Sequence, residues 1–274
     1  MVSDTYLALA TAYRDDAPYL REWIEFHRLV GAERFFLYDN GSTDRHREVL
    51  EPYVRDGTVV VHDWPIPVMG DTGRPSGLIR AFDDCISQHR GDARWIGFID
   101  VDEFLFSPAG GTIAELLRGF EQAPGVTVHR AEFGTSGHRT RPPGLVTENY
   151  LHRARHLPDS RAYYKSIVDP SRVERCASVH HFFYREGLAV DENGHPVRTG
   201  IRPEKTPVSF ERLRINHYRT KSEEELRRKW AMWAETGKLQ AAEPPAARLE
   251  MAGHLVSDDA ITAYVPALRA ALAR

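Results

Sequence analysis

Residues 95–106 read WIGFIDVDEFLF, and the fold turns on how that run is read. Trp95, Ile96, Phe98 and Ile99 lead into Asp100-Val101-Asp102-Glu103, after which Phe104 resumes the apolar text. An apolar run of this length between turn formers predicts a strand buried on both faces, as in a parallel sheet. Side chains alternate along a strand, so Asp100 and Asp102 fall on one side, while Val101 and Glu103 turn away. Glu103 is accordingly read as structural. Two neighbouring carboxylates repel unless a cation or protons separate them. Oxygen pairs of this kind suit Mg²⁺ or Mn²⁺, which bind through one or two carboxylates together with substrate phosphates. The plainer alternative is an acidic turn that caps the following segment.

Outward from that run, strands and helices alternate. The segment 6–13 (YLALATAY) predicts a first buried strand. A helix opens at Asp15-Asp16-Ala17-Pro18, carries Leu20, Trp23, Ile24 and His27 at helical spacing, and stops at Gly31. A strand at 34–38, a helix to about Tyr53, a strand at 58–64, a loop at 65–76 and a helix at 77–89 follow. Such alternation predicts an α/β fold with a mostly parallel central sheet flanked by helices and right-handed crossovers. Ligands then bind outside the carboxyl ends of the strands. Further strands are expected at 125–133, 163–168, 177–184 and 212–219. A helix at 221–236 is opened by a capping box, Ser222 with Glu225, and a proline-rich hinge at 243–246 precedes a last helix. This divides the chain into a binding half (1–110), a second half of the same domain (111–240) and a helical tail (241–274).

The 274 residues are enough for a sizeable core. A net charge of -3 gives no electrostatic case for nucleic acid or an anionic membrane. Two cysteines, Cys85 and Cys176, are too few for a disulfide framework and read as buried free thiols in a reducing compartment. With no convincing signal peptide and no apolar run long enough to span a membrane, a cytosolic or peripheral protein is expected.

Several strand ends carry chemistry. Asp39 follows the second strand, and Gly41 frees the turn to reach positive φ; Asp39 either receives a base or ribose or simply forms the turn. Thr11 and Tyr13 close the first strand and either face a nucleobase or pack. His217 in INHYRTKS either adds a nitrogen to the metal or packs, and Arg219 and Lys221 beyond it suit a diphosphate. No HExxH-like spacing supports a histidine zinc site.

Taken in order, APYLREWIEFHRLVGAERFFLYDNGSTD, ARWIGFIDVDEFLF, FGTSGH, PPGLVTENY, KSIVDP, VHHF and INHYRTKS resemble the GT-A fold nucleotide-sugar glycosyltransferases. The likeness is to family 92 (formerly DUF23) and the family 2-like enzymes grouped around it. The resemblance implies that Asp100 and Asp102 hold a divalent cation, Mn²⁺ or Mg²⁺, bridging the donor diphosphate, and that His217 completes its shell. It implies that Thr11, Tyr13 and Asp39 face the nucleotide, with Arg14 and Lys221 as diphosphate contacts. The expected reaction moves a sugar from a nucleoside diphosphate, by family habit UDP, to a hydroxyl acceptor such as a glycan. If it inverts, a carboxylate must take the acceptor proton; Glu148 ranks ahead of Glu132 for that role. The sequence departs from the expected pattern at Arg130-Ala131-Glu132, where a Trp was expected, and in a loop before Leu78 that lacks a Gln. Rival readings are a nucleotidyltransferase or sugar-nucleotide pyrophosphorylase, disfavoured because TAYRDDAP lacks glycine, and a non-catalytic nucleotide-binding scaffold.

Overall fold

Alternation within LALATAY builds the centre of the molecule. β1 (Leu7–Tyr13) buries Leu7 and Leu9 in one apolar cluster and Ala8 and Ala10 in another, so both faces of the sheet are covered. The structure, a computed structural model, describes residues 5–66, 76–155, 163–198, 208–235 and 255–274. After β1 come α1 (Ala17–Leu29), β2 (Arg34–Asp39), α2 (His46–Arg55), β3 (Val59–Asp63), α3 (Ser76–His89) and β4 (Trp95–Phe98). β4, β1, β2 and β3 lie side by side in that order, all parallel, as the alternation predicts. Gly97 makes room in the middle of β4 for Leu9, whose Cδ2 would stand 2.6 Å from a Cβ there. The loop read at 65–76 lies mostly outside the described residues, as does the hinge read at 243–246.

The second half departs from a parallel sheet. It contains β5 (Glu103–Phe106), α4 (Ile113–Leu117), β6 (Gly125–Glu132), α5 (Val146–Asn149), β7 (His152–Ala154) and β8 (Tyr164–Val168). Then follow β9 (Val173–Ser178), β10 (His181–Tyr184), β11 (Ala189–Val190), β12 (Pro196–Val197), β13 (Arg214–His217) and α6 (Glu223–Glu235). β8 is inserted antiparallel between β4 and β6, so the central sheet is mixed. β13 runs parallel to β6 and antiparallel to β5. The segment 177–184, read as one strand, is the end of β9, a turn and β10, which form an antiparallel hairpin.

Residues 95–106 are likewise two strands. The chain turns between them, closed by the bond from Glu103 N to Asp100 O (3.0 Å), and β5 leaves β4 to pair with β13. Asp100 and Asp102 therefore lie on a turn, and strand periodicity does not decide where they point. The C-terminal segment is more than a helical tail. β14 (Leu255–Ser257) pairs with β7, Asp258 bridges Arg153 and Arg214, and α7 (Val265–Leu272) packs along α1. Cys85 and Cys176 are buried free thiols. Among the described residues no helix is long and apolar enough to cross a membrane.

Candidate functional site

The loops after β1 and β2 are stitched into one rim. Asp15, at φ 54°, accepts from Thr43 N (2.7 Å) and Asp44 N (3.2 Å), while Asp44 accepts from Ala17 N (2.8 Å) at the start of α1. The first turn of α1 is thus capped by a residue 27 positions downstream rather than by its own acids. Asp39 is spent on the turn: Oδ1 accepts from Ser42 N at 2.9 Å and Oδ2 lies 3.4 Å from His46 Nε2, with Gly41 at φ 75°.

Strand register assembles the rest. β13 sets His217 opposite Glu132 on one side and opposite Glu103 on the other. Arg130 and Glu132, two apart on β6, share a face. β8 brings Lys165, 1% exposed, beside the acidic turn. An unbroken chain of alternating charge results. Lys229 Nζ is 2.6 Å from Asp102 Oδ2, and Asp102 Oδ1 is 3.5 Å from His217 Nε2. His217 Nδ1 is 2.6 Å from Glu132, and Arg130 bridges Glu132 (3.0 Å) to Glu103 (2.9 Å). Lys165 then joins Glu103 (3.4 Å) to Asp100 (2.9 Å).

Buried charges survive only when paired, and the pairing fixes protonation. Burial alone would lower the His217 pKa, but the Glu132 and Asp102 carboxylates overcome it and push it up to about 9. Burial would raise Glu132, yet His217 and Arg130 hold it down to about 2. Asp102 is held well below the carboxylate range against burial, chiefly by Lys229 and His217. Asp100 is lowered against burial by Lys165.

A cleft of about 980 Å³ opens at the carboxyl ends of β1 and β4. Its walls include Tyr13, Arg14, Asp16, Asn40, Asp100, Asp102, Lys221 and Lys229. Of the residues singled out from sequence, Tyr13, Arg14, Asp100, Asp102 and Lys221 are therefore brought together. Lys221 takes a left-handed backbone (φ 47°), and its ammonium sits 4.1 Å from the centroid of the Tyr19 ring. It has no carboxylate ion pair among the described residues, and burial lowers its pKa.

Other expectations need correction. Thr11 is fully buried within β1 and, like Asp39, is absent from the cleft wall. Glu148 stands elsewhere: it caps the start of α5 through Leu145 N (3.2 Å) and is paired with Arg269 of α7. Glu132 is committed to His217 and Arg130, and a carboxyl held near 2 is a poor proton acceptor. Glu103 is structural, as expected, but it faces the network rather than away from it. Sequence reading missed Lys165, Arg130 and Lys229. The signals were a lysine in the otherwise apolar strand YKSIV, and Lys229 on the same helical side as Leu226 and Trp230.

The donor set tests the expected cation. Among the described residues no three His, Cys, Asp or Glu side chains form a ready-made cage. Asp102 Oδ1 and His217 Nε2 nevertheless face each other at 3.5 Å, and Asp100 lines the cleft. His217 is oriented through its other nitrogen by a carboxylate, the support common to metal-binding histidines. Few protein ligands, mostly oxygen, fit a hard cation that takes its remaining ligands from water and phosphate.

The model of glycosyltransferase family 92 matches residues 6–242. The chain belongs to glycosyltransferase family 92. A family 92 protein of Oryza sativa subsp. japonica is 34% identical over 188 residues, covering 66% of this chain and 30% of that protein. The galactan β-1,4-galactosyltransferase GALS2 of Arabidopsis thaliana is 34% identical over 114 residues, covering 40% of this chain and 22% of that protein. The chain spans about a third of the length of the family 92 relatives it matches. Among solved structures, S. aureus TarS in complex with UDP aligns at a TM-score of 0.37 and 14% identity. That alignment covers 61% of this chain and 47% of the TarS 1–349 chain, a likeness too slight to carry a ligand over.

Proposed function

We propose that the chain is a cation-dependent glycosyltransferase that moves a sugar from a nucleoside diphosphate, UDP by preference, to a hydroxyl acceptor. The observation that carries this reading is the cleft itself: Asp100 and Asp102 line it together with Lys221, whose ammonium lies over Tyr19 with no carboxylate ion pair among the described residues. A nucleoside diphosphate matches that layout. Ala12, Tyr13 and Asn40 on the cleft wall would receive its base and ribose, and Lys221 and Arg14, beside the acidic turn, would receive its phosphates. Family membership supports the same class, as do relatives named as galactan β-1,4-galactosyltransferases.

Asp100, Asp102 and His217 would hold Mn²⁺ or Mg²⁺, which when bound supplies Lewis-acid neutralisation of the departing diphosphate. The chain's own part is positional and electrostatic. Glu132 keeps His217 Nε2 aimed at Asp102, and Lys165 keeps Asp100 at the cleft wall. Lys221 places positive charge where negative charge develops, in a site too buried for water to screen it. With Glu132 and Glu148 engaged elsewhere and Glu225 tied to Ser222, Tyr19 and Tyr150 at the start of α6, Asp16 is the cleft carboxylate whose pKa is raised by burial, as suits proton removal from an acceptor.

The test is UDP-sugar turnover with and without Mn²⁺ in the wild type and in D102A. Turnover that needs Mn²⁺ and disappears in D102A is the expected result. Full metal-dependent turnover in D102A would overturn the site.

A further inference from the structure

The acidic turn is already neutralised by the protein's own side chains. In the alternating chain, the carboxylates Asp100, Asp102, Glu103 and Glu132 face Lys165, Lys229, Arg130 and His217. Every hydrogen-bonding oxygen of Asp102 is in use. Oδ2 accepts from Lys229 at 2.6 Å, Oδ1 faces His217, and the backbone carbonyl accepts from Tyr218 N at 2.8 Å. A divalent cation binding here would meet an ammonium on the same carboxylate, and like charges at that range repel strongly.

The two lysines are not equivalent. Lys165 is enclosed, sits on a central strand and is shared between Asp100 and Glu103, so removing it would strand the fully buried carboxylate of Glu103 and unpair Asp100. Lys229 is 30% exposed, stands on α6 at the cleft wall, and holds Asp102 from the end of a flexible stem. Of the two, Lys229 is the one whose side chain reaches solvent and can swing away from its carboxylate. The nearest place for its charge is the cleft, which it lines together with Lys221 and Arg14.

We infer that Lys229 is a displaceable counter-ion that keeps Asp102 closed to the divalent cation until a diphosphate enters the cleft. The diphosphate draws the ammonium off Asp102, and its charge balances the incoming cation. Cation and nucleotide then bind as a pair, each weakly alone. This rests on the proposed metal–diphosphate reading of the cleft and adds to it an order of events and a residue that enforces it.

Mn²⁺ affinity, read from the electron paramagnetic resonance signal of the free ion, tests this directly. The proteins compared are wild type, K229M, K229Q and D102N, each with and without UDP, with circular dichroism as a check of folding. UDP should tighten Mn²⁺ binding to the wild type. K229M and K229Q without UDP should bind Mn²⁺ about fivefold more tightly than wild type, as expected for losing a partly exposed ion pair of about 1 kcal/mol, and the effect of UDP should shrink. If both folded Lys229 variants bind Mn²⁺ no more tightly than wild type, the counter-ion role is overturned while the site reading stands. If D102N binds Mn²⁺ as wild type does, the site reading fails and this inference with it.

Discussion

Glu132 Oε2 lies 2.6 Å from Nδ1 of His217, its in-register neighbour across two parallel strands. The bond fixes which nitrogen of the ring faces Asp102. Glu132→Gln removes the charge and leaves the ring free to turn. Loss of such a supporting carboxylate lowers metal affinity about 10–100-fold. Calorimetry of UDP binding should show that loss with Mn²⁺ present and little change without it. An equal loss under both conditions would instead mark Glu132 as a nucleotide contact.

Lys165 makes the sharpest stability prediction. Lys165→Met leaves Asp100 and Glu103 without the ammonium between them, and breaking a buried pair from one side costs about 3–5 kcal/mol. Urea denaturation should show that drop. Adding Glu103→Gln should recover part of it, because one of the two stranded charges is gone. A single variant as stable as wild type would mean that water reaches the pair.

His27 links stability to pH. Its Nδ1 donates to Trp23 O (2.8 Å) and its Nε2 accepts from Leu105 N (3.0 Å), so the buried ring ties α1 to β5 in the neutral form. Burial lowers its pKa from 6.5 to about 3, although the Trp23 carbonyl opposes the shift. Below pH 6.5 the unfolded chain therefore binds the extra proton. Stability from this group is complete above pH 6.5 and falls as pH drops toward 3, by about 2 kcal/mol at pH 5. Urea midpoints at pH 7.5 and pH 5 should fall less in His27→Gln than in wild type. Equal falls in the two proteins would rule His27 out as the source.

The parallel half of the sheet was legible because β1 to β4 alternate with helices and each strand carries an apolar run. The turn inside WIGFIDVDEFLF was not. Its bend is set by Glu103, which accepts from Asp100 N and faces Arg130 and Lys165, and those partners lie 27 and 62 positions away. Asp100, Asp102, Tyr13, Arg14 and Lys221 were found at strand ends and in a family motif. Lys165 and Lys229 were passed over because a charged residue in an apolar pattern looks like noise until its partner is known. Asp39 and Glu148 misled for the converse reason: a carboxylate after a strand or near a motif is equally fit to close a turn or cap a helix.

Lys221 should discriminate phosphate from nucleoside. Lys221 lines the cleft, and its ammonium lies over Tyr19 with no carboxylate ion pair among the described residues. A hydrogen bond to a charged group contributes about 1.5–3 kcal/mol, so Lys221→Met should weaken UDP binding by about 10–100-fold. Uridine affinity should stay unchanged. Equal weakening of both ligands would place Lys221 in the shape of the cleft rather than on the phosphates.

Glu148 provides the negative control for the acceptor base. Its carboxylate is divided between Arg269 and the backbone nitrogen of Leu145, and it is absent from the cleft wall. Removing a general base lowers turnover by about 10²–10⁴-fold. Removing a surface ion pair that joins α7 to the start of α5 leaves the chemistry untouched. Glu148→Gln should therefore keep kcat within about twofold of wild type, with any loss confined to thermal stability. Asp16→Asn, which alters a carboxylate on the cleft wall whose pKa is raised by burial, is the variant in which a large fall in kcat with little change in donor affinity is expected. A fall of that size in Glu148→Gln, with thermal stability intact, would mean that the α5 segment moves into the cleft when donor binds.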